Sequence, residues 1–335
     1  MATIKDVARL AKVSVTTVSH VVNKTRFVSP ESTQAVEEAI RRVGYVPSAV
    51  ARSLQGKSTR TLGMLIPNSS NPYFAEMVHS VEKHCFGAGY NLILCNTNDE
   101  ANRQSVYLQV LAERRIDGLI VVSTGDDNSL AAQLQGLTIP TVLVDRELTE
   151  LKCDLVETAH QQGGLMATQH LIALGHRRIA CMAGPQGLDV SEQRIQGWRQ
   201  ALRDAGMADM PGEFLVHGDF TSHGGYVAMQ AVLKLPAKPS AIFVCNDLMA
   251  IGALSAAHEV DLRVPSELSL VGFDDIELAS YTSPPLTTIA QPKQRIGVLA
   301  VDMLLERIMG GRTQPRKVLL QPELRVRSSS GPCPQ

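Results

Sequence analysis

The sequence predicts a small all-α head followed by a larger α/β body of two doubly wound parallel-sheet subdomains. Three observations lead there. Within the first 46 of 335 residues, apolar side chains recur at steps of three and four. From Thr61 onward, short apolar runs alternate with stretches of helical periodicity. Roughly 270 residues of that alternation exceed one comfortable sheet.

Composition agrees with a folded chain of this size. Hydrophobic residues make up 44% and charged residues 19%, enough for large cores and unlike a disordered segment. No apolar run approaches the roughly 20 residues of a membrane span. The opening MATIKDVARLAK carries an acidic residue and no long apolar centre, so it does not read as an export signal. A cytoplasmic chain without a membrane partner is expected. Cys85, Cys95, Cys153, Cys181, Cys245 and Cys333 are scattered without a C-x-x-C pair, which points to reduced thiols rather than disulfides or structural zinc. The net charge of −1 hides an asymmetry: residues 1–57 hold nine Lys+Arg against four Asp+Glu, and the rest holds 23 against 29. A basic head on an acidic body is the layout of a protein that meets a polyanion with one end.

In the head, Thr3 reads as an N-cap with Asp6 three residues on, followed by an apolar stripe of Ile4, Val7, Ala8 and Ala11. After the turn KVS, Ser14 caps a second helix, VTTVSHVVN. Its Val15, Val18 and Val22 fall on one side and are expected to hold it against its neighbours; Thr16, Thr17, His20 and Asn23 fall largely on the other. Ser29-Pro30 opens a third helix, with Val36, Ala39, Ile40 and Val43 inward. Helix, tight turn, helix and supporting helix is the helix-turn-helix arrangement. Hydroxyl and imidazole groups on the second helix can exchange hydrogen bonds with base edges, and a threonine methyl can meet a thymine methyl. No carboxylate lies between Lys12 and Pro30 to repel phosphate, while Lys5, Lys24 and Arg26 can contact it. A helical bundle with a merely polar surface is the plainer reading, and it leaves caps, charge and spacing coinciding by chance.

The next stretch, VPSAVARSLQGKSTRTLG, offers about two helical turns after Pro47, too few to be stable alone in water. It reads as a linker that folds when held. Leu54 beside Arg52 suits a wedge between base steps in a minor groove, although an ordinary linker fits the spacing equally well.

The segments TIKDVARLAKVSVTTVSHVVNKTRFVSPES and GYVPSAVARSL resemble the lactose-repressor (LacI/GalR) family of bacterial transcription regulators, nearest to its purine and ribose repressors, and the likeness continues along nearly the whole chain. The resemblance implies a DNA-binding face of Ser14, Val15, Thr16, Thr17, His20, Asn23 and Arg26, with Leu54 as the operator wedge. Val15 and Gln55 depart from the purine-repressor pattern of threonine and lysine, which leaves the operator sequence open.

In the body, the strand-like runs are TLGMLI, NLILCN, GLIVVS, TVLVD, RIACMAG, FLVHGDF, AIFVCND, LSLVGFDD and LTTIAQP, with helical stretches such as Phe74–Ala88, Asn102–Arg115 and Ser191–Ala205 between them. In open parallel sheets, ligands bind beyond the carboxyl ends of the strands. Polar residues gather there, in IPNSSNPYF, VDR, GDF, VCND, GFDD and IAQP. Carboxylates, amides and arginine beside aromatic rings suit a polyhydroxylated ligand. Cap and turn chemistry explains any one of them equally well; their recurrence favours the ligand.

The body also resembles the sugar-binding core of periplasmic ribose-binding proteins. That likeness implies a site of Asn71, Tyr73, Phe74, Asp145, Arg146, Arg194, Phe220, Asn246, Asp274 and Gln291, with Tyr replacing one Phe. Purine repressors carry Asp-Trp where this chain has Asp145-Arg146, which favours a small sugar, ribose first, over a planar base. The expected organisation is a head over 1–46, a hinge helix and linker over 47–59, and a body over 60–331. Its subdomains take 60–160 with 292–322 and 161–291 with 323–331, before a frayed tail at 332–335. Specificity calls for a two-fold homodimer on a palindromic operator. No hydrolase, phosphate-loop, zinc-protease or dinucleotide motif occurs, so neither catalysis nor a cofactor is expected, only a small-molecule effector. Asp274 and Asp275, adjacent at a strand end, should point apart. His176, in ALGHRRIA, reads as a C-terminal cap partner of a helix.

Overall fold

A computed structural model describes residues 2–23, 25–45, 58–98, 100–122, 127–148, 151–207 and 212–334. Two units result, Met1–Thr59 and Arg60–Gln335. In the head, α1 (Ile4–Ala11), α2 (Val15–Asn23) and α3 (Pro30–Val43) start where the caps predict. The Thr3 N–H and hydroxyl both donate to the Asp6 carboxylate. Ser14 Oγ accepts the Thr17 N–H at 3.0 Å, and Ser29 Oγ that of Ser32. Gly44 closes α3 at φ +63°, a left-handed conformation natural to glycine. Val7, Ala8, Val18, Val36 and Ala39 form the core. Val22 packs against that core, but Val15 stays 41% exposed, so the valines do not act as one inward face. Val15 opens the helix, one turn before Val18, where the neighbouring helices no longer cover it.

The body holds two six-stranded sheets. The first comprises β1 (Thr61–Ile66), β2 (Asn91–Asn96), β3 (Gly118–Val122), β4 (Thr141–Val144), β5 (Asp154–Thr158) and the late strand β11 (Lys317–Leu320), in the order β11-β5-β4-β3-β1-β2, all parallel. The second comprises β6 (Ile179–Ala183), β7 (Leu215–His217), β8 (Ala241–Val244), β9 (Ser269–Asp274), β10 (Thr287–Ala290) and β12 (Glu323–Arg325), in the order β12-β10-β9-β8-β6-β7. Only β12 runs antiparallel, against β10. Central strands such as GLIVV and IACMA are buried throughout, because helices cover both faces. The chain passes between the sheets three times: from β5 to the helix His160–Ala173, from β10 to the helix Lys293–Ile308, and from β11 to β12. β5, β11 and β12 lie outside the nine predicted strand runs; each is short and broken by charged or polar residues.

Two further expectations fail. Cys333 N–H donates to Leu174 O, Ser329 is fully buried, and its Oγ and O reach the β9 backbone at Leu270, so residues 328–333 are docked rather than frayed. Serine hydroxyls supply the hydrogen bonds that a ladder partner would otherwise give. His176 is no cap partner: Gly175 (φ +91°) turns the chain inward, and the fully buried ring meets Ser240 Oγ, Ser269 Oγ and Gly331 O at 2.9–3.0 Å. The helix end it was to cap is closed by backbone N–H groups.

Candidate functional site

Beyond the carboxyl ends of both sheets lies a cavity of about 290 Å³, at the small end of ligand sites. Asn71, Tyr73, Phe74 and Asp145 line it from the first sheet's side, and Arg194, Phe220, Asn246 and Asp274 from the second's. Local chemistry sets each in place. Asn71 caps the helix Pro72–Gly87 by accepting the Tyr73 N–H, which turns the Tyr73 ring inward. Tyr73 is 5% exposed, and its hydroxyl lies 2.9 Å from Asp145 Oδ2 and 3.1 Å from Gln291 Oε1. Asn246 caps the helix Asp247–Glu259, and its NH₂ donates to Phe220 O. Phe220 sits at φ +63° with its ring where a side chain on Gly184 would be, so only glycine fits at 184.

Arg194 is the hub. It is 5% exposed, stacks over Phe273 with its guanidinium carbon 3.9 Å from the ring centroid, and donates to Cys245 O. It also lies 4.0 Å from the Asp274 carboxylate. Its helix, Asp189–Asp204, packs backbone to backbone on His160–Ala173 through Gly164 and Gly197, where any Cβ would strike the opposite main chain.

The charges are tuned by burial. Desolvation raises the Asp274 carboxyl to about 6, against the downward pull of Arg194 and of Gln291, which donates to it at 2.7 Å. For Asp145 burial also pushes upward, but the adjacent His160 and the donors Thr158 N–H and Tyr73 O–H outweigh it and hold the carboxyl below its usual value. Burial first, then Asp145 and Asp274, pushes the Tyr73 phenol well above its ordinary value and keeps it neutral. Asp275, next to Asp274, turns away and pairs with Arg327 at 2.7 Å. Carboxylates and a guanidinium among aromatic rings can grip a small polyol. Among the described residues no group of three or more His, Cys, Asp or Glu could hold a metal, and no helix is long and apolar enough to cross a membrane.

Eight of the ten residues implied for the body site line the cavity. Gln291 stands one step behind, bridging Tyr73 and Asp274. Arg146 is half-buried after β4 and is not among the lining residues. The lining also includes Asn68, His160, Gln186 and Asp219, which the sequence reading passed over. Asn68 and Asp219 stood in the quoted strand-end segments; His160 gave no signal at all.

On the head, Ser14, Val15, Thr16 and Arg26 are exposed and Thr17, His20 and Asn23 half-buried. His20 Nδ1 is engaged by Thr25 Oγ1, leaving Nε2 for another partner, whereas Asn23 turns its NH₂ back onto Ser19. Lys24, Arg52 and Leu54 lie outside the described residues.

A model of bacterial regulatory proteins, lacI family, matches residues 3–48, and one of a periplasmic binding protein-like domain matches residues 168–330. The chain is 45% identical to the ribose operon repressor of Escherichia coli (strain K12), over 98% of this chain and all of that protein. It is 44% identical to the HTH-type transcriptional repressor PurR of Aliivibrio salmonicida (strain LFI1238), over 98% and 99%. Among solved structures it is similar to the lac repressor dimer bound to operator and the anti-inducer ONPF, at a TM-score of 0.88, 29% identity, and coverage of 98% of this chain and 99% of that one.

Proposed function

The chain belongs to the lacI family of bacterial regulatory proteins, and we propose that it is a DNA-binding transcriptional repressor whose operator affinity responds to ribose in the body cavity. The observation that carries the ligand reading is the set of the buried Asp274 and Arg194 and the half-buried Asp145 among Tyr73, Phe74 and Phe220 in one cavity. Carboxylate and guanidinium groups pair with sugar hydroxyls, and aromatic faces take the sugar's C–H surface. The ribose operon repressor relative supports the same choice. A purine is the second reading, favoured by similarity to PurR. Against it, the resemblance puts Asp-Trp in purine repressors where this chain has Asp145-Arg146.

In this mechanism residues 1–46 read DNA, with Thr16, Thr17 and His20 at base edges, Ser14, Val15 and Asn23 beside them, and Arg26 on phosphate. Residues 47–59 form the hinge, with Leu54 as wedge. A homodimer places two heads on a palindromic operator. Sugar held between the two sheets changes their relative orientation about the three crossings. That change reaches the hinges and weakens operator binding, a coupling of about 1–3 kcal/mol that acts equally in reverse.

The test is calorimetry of the full-length chain with ribose, ribose 5-phosphate and hypoxanthine. Saturable ribose binding is expected. Heat from hypoxanthine alone would replace the effector, and heat from ribose 5-phosphate alone would move the choice to the phosphorylated sugar.

A further inference from the structure

His160 opens the helix that enters the second subdomain, is 1% exposed and lines the cavity. Arg194 approaches its Nδ1 with Nη2 at 3.2 Å and Nε at 3.4 Å. Arginine has only donors, so Nδ1 must accept and the ring proton must sit on Nε2. That Nε2 is buried without a hydrogen-bond partner and lies 3.4 Å from Asp145 Oδ1, which already accepts the Thr158 N–H. The ring also leans on Phe273, centroids 5.9 Å apart.

A buried polar group left short of a partner bears its desolvation uncompensated, so it calls for an explanation at a site, and here the two cavity charges on either side supply one. We propose that His160 is a positioning residue of the ligand site: as a neutral imidazole protonated at Nε2, it accepts from Arg194 and faces Asp145, fixing the guanidinium of one subdomain against the carboxylate of the other across the ligand. Burial, the largest influence on its titration, lowers its pKa and keeps it neutral, in line with that geometry. The long approach to Asp145 is the joint that shortens when ligand draws the two sides together. This inference rests on the ligand site proposed above but not on which sugar fills it.

The test uses the full-length chain with ¹⁵N-labelled histidine, the His160 signal being the one lost in His160→Asn. Nitrogen shifts of the neutral Nε2–H tautomer at pH 7 are expected; an Nδ1–H tautomer or an imidazolium would overturn the proposal. In calorimetry with ribose, His160→Phe, which keeps the ring and removes the acceptor, should weaken binding by about tenfold or more. His160→Asn, whose amide oxygen can replace Nδ1, should restore most of it. Wild-type affinity in the Phe variant, or equal loss in both, would contradict a positioning role. If wild type gives no ribose heat, the ribose reading fails while the tautomer still decides this one.

Discussion

The two candidate recognition surfaces are built on opposite principles. The head's candidate residues sit on one helix, its N-cap and the turn after it, exposed or half-buried, and among the described residues their side-chain hydrogen bonds reach no farther than five residues along the chain. The cavity's residues come from at least six separate segments, and they are cross-braced over long sequence distances, as between Tyr73 and Gln291 or Arg194 and Cys245. A surface that reads DNA must stay solvated until phosphates and bases replace the water. A pocket that grips a small ligand must hold its charges in place beforehand, with their desolvation met by the protein's own donors. Loss of a single residue should therefore matter more in the body than in the head.

The largest effect is expected at the hub. Arg194→Met removes a guanidinium engaged by Cys245 O, His160 and Asp274, and should weaken ribose binding by roughly a hundredfold or more. Calorimetry should show this while operator binding persists and no longer responds to ribose. If operator binding falls equally, the two surfaces are not separable.

Next comes Asp274. Its carboxyl is raised to about 6, so the folded chain holds that proton more tightly than the unfolded one. The stabilisation this gives is complete below about pH 4 and lost as pH rises through 6; at higher pH the buried ion costs up to about 3 kcal/mol. Asp274→Asn should therefore raise the melting temperature at pH 8 and change it little at pH 4, while weakening ribose binding. A stability difference that grows toward acid would reverse the sign of the account.

Smaller effects belong to the head. Thr16→Ala should cost about 1–2 kcal/mol of operator affinity with the salt dependence unchanged, whereas Arg26→Ala should lower the salt slope by about one unit. Both are read from fluorescence anisotropy over a salt series; equal salt slopes would deny Arg26 its phosphate. Smallest, Ser14→Ala removes the cap of α2 and should destabilise the head by about 1 kcal/mol, seen as increased amide exchange in Val15–Asn23.

The same contrast governs what could be read from the sequence. Ser14, Ser29-Pro30 and the spacing of Val18 and Val36 announce the head, because capping and helical periodicity are local. The alternation of strand and helix likewise gives two wound sheets. Local rules say nothing of His160, which follows a polar strand end and acquires its role only because Gly164 and Gly197 let two helices touch. The ten body positions came from family resemblance, since no spacing links residue 71 to residue 291. The docked tail and the inward His176 were missed for the same reason: Ser240, Ser269 and Gly331 meet that ring only in the folded chain.

The most direct test of the central claim is operator titration of the full-length protein with and without saturating ribose. The operator is the palindrome that the protein itself enriches from random duplexes. The account predicts two-fold symmetric sites and an affinity that falls about fivefold or more when ribose is present. Operator affinity indifferent to ribose, with ribose nonetheless bound, would sever the cavity from the head and contradict it.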